Sequence, residues 1–450
     1  MAAEKHLLFC RDAHGDCAAR ASKPLRETRA AHSLKFLAFL GPFLMWGLPA
    51  AAQGPARVTL DQAIQMAVEH NHALKAARTL IPQTQAQEVT ANLRPNPVLS
   101  WDSQFFPLFN PGAFSTTYID QTSQFDVGVG YLFERGKKRQ HRLEAAKDQT
   151  AVTRSQVADN ERSLTLNVGQ QFINALLAQS NLDFALAALK SFQSTVDISN
   201  ERYRAGDISE GDLLKIKLQM PQFQTDVSAA KIAKVQALAG LRQLLGYESV
   251  PEDFDVQGEL AYQPLAQKRE DLEAMALRQR PDFQAAQQSV TAAKSQLSLA
   301  QANGKRDLNA SFVYSHVGGV NTGSFFFNIE MPIFNRNQGE IARTRYAIDQ
   351  SQEIRSEASQ QVVTDVLNSY EGVRTSGQVV ELYTGGYLQQ GQESRDISEY
   401  AYKRGAASLL DFLDADRSYR ANQLAYRQSL ATYMLALEQL RASVGTRSLP

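Results

Sequence analysis

Few residues in this 450-residue chain have the types and spacing for chemistry. His70 and His72 flank Asn71, Asp411 and Asp414 stand three apart, and Arg135, Lys137, Lys138 and Arg139 form a basic run. Two histidines separated by one residue point to different faces of a helix, which is poor geometry for a shared metal ion. The other five histidines, His6, His14, His32, His141 and His316, are scattered. No glycine-rich loop follows a strand to cradle a phosphate, and no serine, histidine and aspartate form a defensible nucleophilic set. The chain therefore reads as no enzyme, with no cofactor and no resident metal. The two aspartates share one helical face, where symmetry would turn each into a ring that favours cations. For Asp414, a candidate aperture carboxylate, the plainer reading is a solvated side chain or a pair with Arg417.

The elements that position these residues show in a repeated phrase. "RYRAGDISEGDLL" from Arg202 and "AYKRGAASLLDFL" from Ala401 pair Tyr203 with Tyr402, Gly206 with Gly405, Ser209 with Ser408, Asp212 with Asp411 and Leu214 with Leu413. Glycine accepts the left-handed conformation that ends a helix, serine caps the next, and an acid three residues on completes a capping box. Each phrase is thus a tight turn between two helices. Residues 112–220 and 333–449 contain no proline and hold the long helices. Apolar residues recur there at steps of three and four: Leu182, Leu186, Leu189, Phe192, Val196; then Val363, Val366, Tyr370, Val373; then Leu430, Tyr433, Leu437, Leu440, Val444. One helix is expected over 137–204, roughly 100 Å long at 1.5 Å per residue. "AVEHNHALKAA" from Ala67 and "ALRQRPDFQAA" from Ala276 place a shorter helix at the start of each half.

Composition sets the compartment. Basic and acidic residues balance at 47 each, which leaves no net charge to attract nucleic acid. A basic flank, an apolar core from Phe36 to Leu48 and Ala50–Ala52 read as a signal peptide over 33–52, with cleavage after Ala52. Residues 1–32 are then an extension or an overcalled start. Both cysteines, Cys10 and Cys17, precede that site, so disulfides, thiolate metal sites and a lipoprotein-type anchor are not expected in the mature chain. Past the signal no continuous apolar run approaches the length of a membrane helix, which leaves strands as the route into a membrane.

Four segments read as strands: 98–106, 124–133, 308–316 and 324–334. In the second, Phe125, Val127, Val129, Tyr131 and Phe133 alternate with Asp126, Gly128 and Gly130; in the fourth, Phe325, Phe327, Ile329, Met331 and Ile333 oppose Ser324, Asn328 and Glu330. Residues 98–133 and 307–334 hold 15 of the 39 aromatic residues, as the aromatic girdles of membrane strands require. The smallest bacterial barrels use about eight strands, so four cannot close alone and several copies must share one barrel.

In order and spacing, "RPNPVLSW", "YLFERGKKRQHRLEAA", "ERYRAGDISEGDLL", "MPIFNRNQGEIARTR" and "YKRGAASLLDFLDADRSY" resemble the TolC-like outer membrane efflux family, most closely its cobalt-zinc-cadmium resistance branch, over about residues 57–446. The resemblance implies a mainly α fold with a small β part. Tandem-duplicated helical hairpins, in repeats over 53–260 and 261–450, would form a periplasmic tunnel, and four strands per chain would enter a trimeric 12-stranded outer-membrane β-barrel. It further implies a passive conduit for divalent metal cations and a homotrimer surrounded by outer-membrane lipid. The partners would be a periplasmic adaptor and an inner-membrane pump of RND type. Gly206, Asp207, Ser209, Gly405, Ala406 and Ser408 match the turns that dock the adaptor, with Asp212 and Asp411 as helix caps at the tunnel mouth. A drug-efflux or type I secretion channel remains the alternative cargo reading. A soluble periplasmic coiled-coil scaffold would leave the aromatic strands unexplained, and an adhesin would act through loop 107–123.

Overall fold

The computed structural model describes residues 56–449. The expected extension (1–32) and signal peptide (33–52) lie outside the described residues. The first half runs β1 (Arg57–Val58), α1 (Leu60–His70), α2 (His72–Arg78), α3 (Leu80–Ala91), β2 (Val98–Gln104), α4 (Thr116–Gln121), β3 (Gln124–Phe133), α5 (Lys138–Arg204), α6 (Glu210–Leu245) and β4 (Asp255–Val256). The second runs α7 (Arg269–Gln279), α8 (Pro281–Asn303), β5 (Leu308–Val317), β6 (Val320–Ile329), α9 (Gln338–Leu382), α10 (Leu388–Lys403) and α11 (Leu409–Val444).

The opening helix of each half is broken, where the sequence suggested one continuous helix. At Asn71 the backbone turns extended (ψ 120°); the side-chain oxygen caps the Leu74 amide at 3.0 Å, and Nδ2 donates to the Leu244 carbonyl at 2.9 Å. At Arg280 the backbone is again extended (ψ 123°), as the following Pro281 favours. Its guanidinium donates to the Ser443 carbonyl and pairs with Asp282 and Asp365 at 2.6 and 2.8 Å. Both breaks therefore fasten the opening segment to the end of its half's last helix, α6 or α11, with different chemistry.

Three cores hold the helices. Val168, Phe172, Leu176, Leu241 and Leu245 pack with α1 in the first half; Val362, Val366, Val373, Tyr433 and Leu440 pack with α7 in the second. The third joins the halves near the two turns, through Phe192, Val196, Ile216, Phe223, Tyr402, Leu409 and Phe412. The seam differs in detail from the expected positions: Val362 is buried while Val363 and Leu186 are exposed. α5 spans 67 residues and contains a stretch apolar enough, at mean hydropathy 1.3, to cross a membrane by length and composition. The helix instead packs along α6, α8 and α11.

The second long helix is not continuous. After Leu382 the chain makes a π-helical turn over Tyr383–Tyr387, with Gly386 at φ 135°, before α10 resumes. In the first half Leu186 and Ala187 occupy the positions of Gly385 and Gly386, counted from the aligned turns, and α5 runs through unbroken. Each glycine disfavours helix by about 1 kcal/mol relative to alanine, and only glycine adopts this φ without strain. Absence of proline was too permissive a guide here, and equally α6 continues through Pro221.

The four long strands form one antiparallel sheet in the order β2-β3-β5-β6. Gly318 and Gly319, at φ 57° and 76°, make a two-residue turn, so β6 starts at Val320, earlier than expected, and ends at Ile329. Met331 and Ile333 consequently fall outside the strand. Register places Leu99, Trp101, Val127, Val129, Phe312, Tyr314, Phe325 and Phe327 on one face. The other face carries Ser100, Asp102, Gln104, Gln124, Asp126, Ser311, Ser315, Thr322 and Ser324.

Candidate functional site: the paired helical turns

Both repeated phrases fold as helix-ending turns with the same hydrogen bonds. The Asp207 amide donates to the Arg202 carbonyl at 2.8 Å and the Gly206 amide to Tyr203 at 3.0 Å; Ala406 donates to Ala401 at 2.8 Å and Gly405 to Tyr402 at 3.0 Å. This six-to-one, five-to-two pattern satisfies the last carbonyls of α5 and α10 and requires the left-handed φ of 83° at Gly206 and 75° at Gly405.

The caps that follow differ. Ser408 Oγ accepts from the Asp411 amide at 3.2 Å while the Ser408 amide donates to the Asp411 carboxylate at 3.2 Å, a complete capping box. At Ser209 only half of it forms: Oγ accepts from the Asp212 amide at 3.1 Å and donates to the Asp212 carboxylate at 2.9 Å. That hydroxyl, with Lys215 at 3.3 Å, holds the exposed Asp212 carboxyl below the usual carboxylate range. Ser408→Ala and Ser209→Ala each remove the hydroxyl that caps the following helix and are expected to cost about 1 kcal/mol. The reciprocal bond belongs to the Asp411 carboxylate, so Asp411→Ala should speed amide exchange at Ser408 and in the first turn of α11; unchanged exchange at the Ser408 amide would mean the reciprocal bond contributes nothing.

The turns lie together. Arg202 donates to the Tyr402 carbonyl at 2.7 Å and stacks over the Tyr402 ring at 5.2 Å. Asp207, Ser209, Asp212, Gly405 and Ser408 line one groove of about 510 Å³. The two halves of the phrase are not equivalent in packing. Tyr402 is buried and Tyr203 exposed; Leu213 is buried and its neighbour Leu214, the aligned residue, is exposed. Asp414 is exposed and forms no ion pair within the described chain, so Arg417 is not its partner.

The buried acid of this region is one the sequence reading passed over. Asp416 accepts a hydrogen bond from Arg420 at 2.9 Å and forms a longer ion pair with Arg395 at 3.6 Å; Arg420 reaches Asp226 at 3.4 Å, and Arg395 reaches Glu399 at 3.2 Å and Ser191 Oγ at 2.9 Å. The network ties α5, α6, α10 and α11. Its legible signal was the Asp416–Arg420 pair at i, i+4. His70 and His72 end one helix and begin the next, and among the described residues no three His, Cys, Asp or Glu side chains gather as a metal site.

Known proteins resemble this chain over most of its length. The family described as outer membrane efflux protein matches residues 63–247 and 272–446. This chain belongs to that family. The cobalt-zinc-cadmium resistance protein CzcC of Cupriavidus metallidurans is 23% identical over 86% of this chain and 90% of its own length. The cation efflux system protein CusC of Escherichia coli O157:H7 is 24% identical over 80% of each. A solved CusC structure, described for conformational changes accompanying folding and transmembrane channel formation, superposes with a TM-score of 0.71 at 20% identity, covering 86% of this chain and 92% of that one. The open state of the Neisseria gonorrhoeae MtrE outer membrane channel also superposes with a TM-score of 0.71 at 20% identity, over 86% and 89%. As an outer membrane efflux protein, the chain places its strands in the outer membrane and its helical hairpins on the periplasmic side.

Proposed function

We propose that three copies of this chain form the outer-membrane conduit of a tripartite efflux system, passing divalent metal cations received from a periplasmic adaptor and an RND-type inner-membrane pump. The sheet supports sharing between copies: β2 and β6 are unpaired edges, and hydrocarbon tolerates no open edge. The groove between the turns, lined by Gly405, Ser408, Asp207 and Ser209, is the proposed adaptor seat, with Gly206 and Ala406 in the same turns.

The observation that carries the cargo class is the charge of the polar sheet face. Asp102 and Asp126 stand directly opposite in the β2–β3 register, each bonded to a glutamine of its own strand at 2.6 and 2.7 Å. Like charges in that position are destabilising, and no lysine or arginine occurs in the four strands to offset them. A barrel interior to which these strands contribute carboxylates and no lysine or arginine favours cations. The names of CzcC and CusC, cobalt-zinc-cadmium resistance and cation efflux, agree with it.

Deleting the gene is expected to lower tolerance to zinc, cobalt, cadmium or copper. In planar bilayers, Asp102→Asn with Asp126→Asn should move the reversal potential under a salt gradient from cation-preferring toward unselective. Unchanged metal tolerance with lost resistance to organic toxins would overturn the cargo in favour of the drug-efflux alternative.

A further inference from the structure

We infer that the periplasmic rim of the sheet binds anionic phospholipid headgroups, with the phosphate seated in a groove beside Arg94, Lys137 and Arg139. The groove, about 360 Å³, is lined by these three cations together with Tyr131, Leu132 and Phe133 at the end of β3, and its wall also carries Lys138 and Glu134, each already paired, with Asp307 and Arg142. It is continuous with the exposed aromatic face of the sheet, so a lipid whose chains lie on that face carries its headgroup to the cations.

Charge around the sheet is one-sided. At the outer end, loop 105–123 has Asp120 as its sole formal charge and the β5–β6 turn is Gly318–Gly319. At the periplasmic end every strand meets cations: Arg94 before β2, the run from Arg135 to Arg142 after β3, Lys305 and Arg306 before β5, and Arg336 after β6. The three nearby carboxylates are already committed, Asp307 to Lys138 at 2.7 Å, Glu134 to Arg142, and Glu330 to Arg306 at 3.2 Å. Arg94 and Lys137 make no ion pair within the described chain, and Arg139 bonds only Asn92, through its side-chain oxygen at 2.9 Å and its carbonyl at 3.4 Å.

Lys137 supplies the second, independent reason. It precedes α5 in the left-handed conformation (φ 59°, ψ 28°), and the equivalent residue before α9, Asn337, adopts the same one (φ 62°, ψ 24°). Both strand-to-helix junctions need that backbone. Asparagine is several-fold enriched there, whereas a long aliphatic side chain is strained. The first half keeps a lysine where the second shows that asparagine serves the fold, so position 137 carries a charge the backbone does not ask for. Anionic lipid at the membrane surface is the partner that lysine and arginine on a rim attract, and arginine adds bidentate contact to phosphate.

The test uses the full protein in nanodiscs of phosphatidylcholine with a minor fraction of spin-labelled phosphatidylglycerol or spin-labelled phosphatidylcholine. The wild type should immobilise the anionic label preferentially. Lys137→Asn should reduce that preference about fivefold while thermal stability holds or rises, and Arg94→Gln with Arg139→Gln should reduce it further. Equal immobilisation of the two labels by the wild type, or a preference unchanged in Lys137→Asn, would overturn the inference. Loss of the preference at millimolar inorganic phosphate and constant ionic strength would assign the groove to a free anion instead, which also overturns it. These readouts involve no transported substrate, so they stand or fall apart from the cargo reading.

Discussion

Phe312→Arg is expected to deplete the folded protein from the outer membrane, while Ser311→Arg, one residue away, should assemble. Phe312 lies at the middle of β5 on the apolar face, beside Phe325 at a ring separation of 5.0 Å, and its register partner on β3 is Val129. An arginine facing lipid near the bilayer midplane costs about 2–4 kcal/mol, and the lost aromatic pair adds about 0.5–1.5 kcal/mol. A 5–15 kcal/mol stability does not absorb that comfortably. Ser311 lies on the polar face opposite Gly130 and Phe326, where a cation meets water. Urea unfolding in lipid vesicles, with heat-modifiable mobility on gels, separates the two. If both variants were lost alike, or both tolerated alike, the sheet would not have one lipid face and one wet face.

That contrast was available from the residues alone because strand alternation is local: Phe125 to Phe133 announce both faces within ten positions. The turns were legible for the same reason, since glycine, serine and aspartate act on amides within four residues. Duplication gave the order of elements but not their equivalence. Asn71 and Arg280 fasten the same junctions with an amide in one half and a guanidinium in the other, which no position-by-position match reveals. The start of β6 was misplaced because the apolar run continues through Met331 and Ile333, whereas the strand begins where Gly318 and Gly319 reverse the chain. At the candidate site, Gly405, Ser408 and Asp411 were readable, but Arg202 over Tyr402 was not, because the partners are far apart in sequence and adjacent only once the helices pack.

The same limit hid Asp416, and its removal has the second large expected effect. Its carboxylate is buried between Arg395 of α10 and Arg420 of α11, both themselves mostly covered. Breaking a buried pair by deleting one partner costs about 3–5 kcal/mol when the remaining charge is sealed from water; these arginines keep some exposure, so Asp416→Ala should cost about 2–3 kcal/mol. The loss should fall on α10 and not on the whole fold. α10 buries only Tyr402, exposes Ile397 and Tyr400, and is cut off from α9 by Gly385 and Gly386. With the charged tie to α11 removed and glycines flanking both ends, α10 is held mainly through Tyr402, by its place in the third core and the bond from Arg202. Amide exchange should accelerate across 388–403 in Asp416→Ala while 188–204 of α5 stays protected, and conductance in planar bilayers should rise. Asp416→Asn, which keeps one hydrogen-bond acceptor, should fall between the two. Unchanged exchange in α10 would mean that apolar contact with α11 suffices, and that the four-helix charge network is not what keeps this end of the conduit in place.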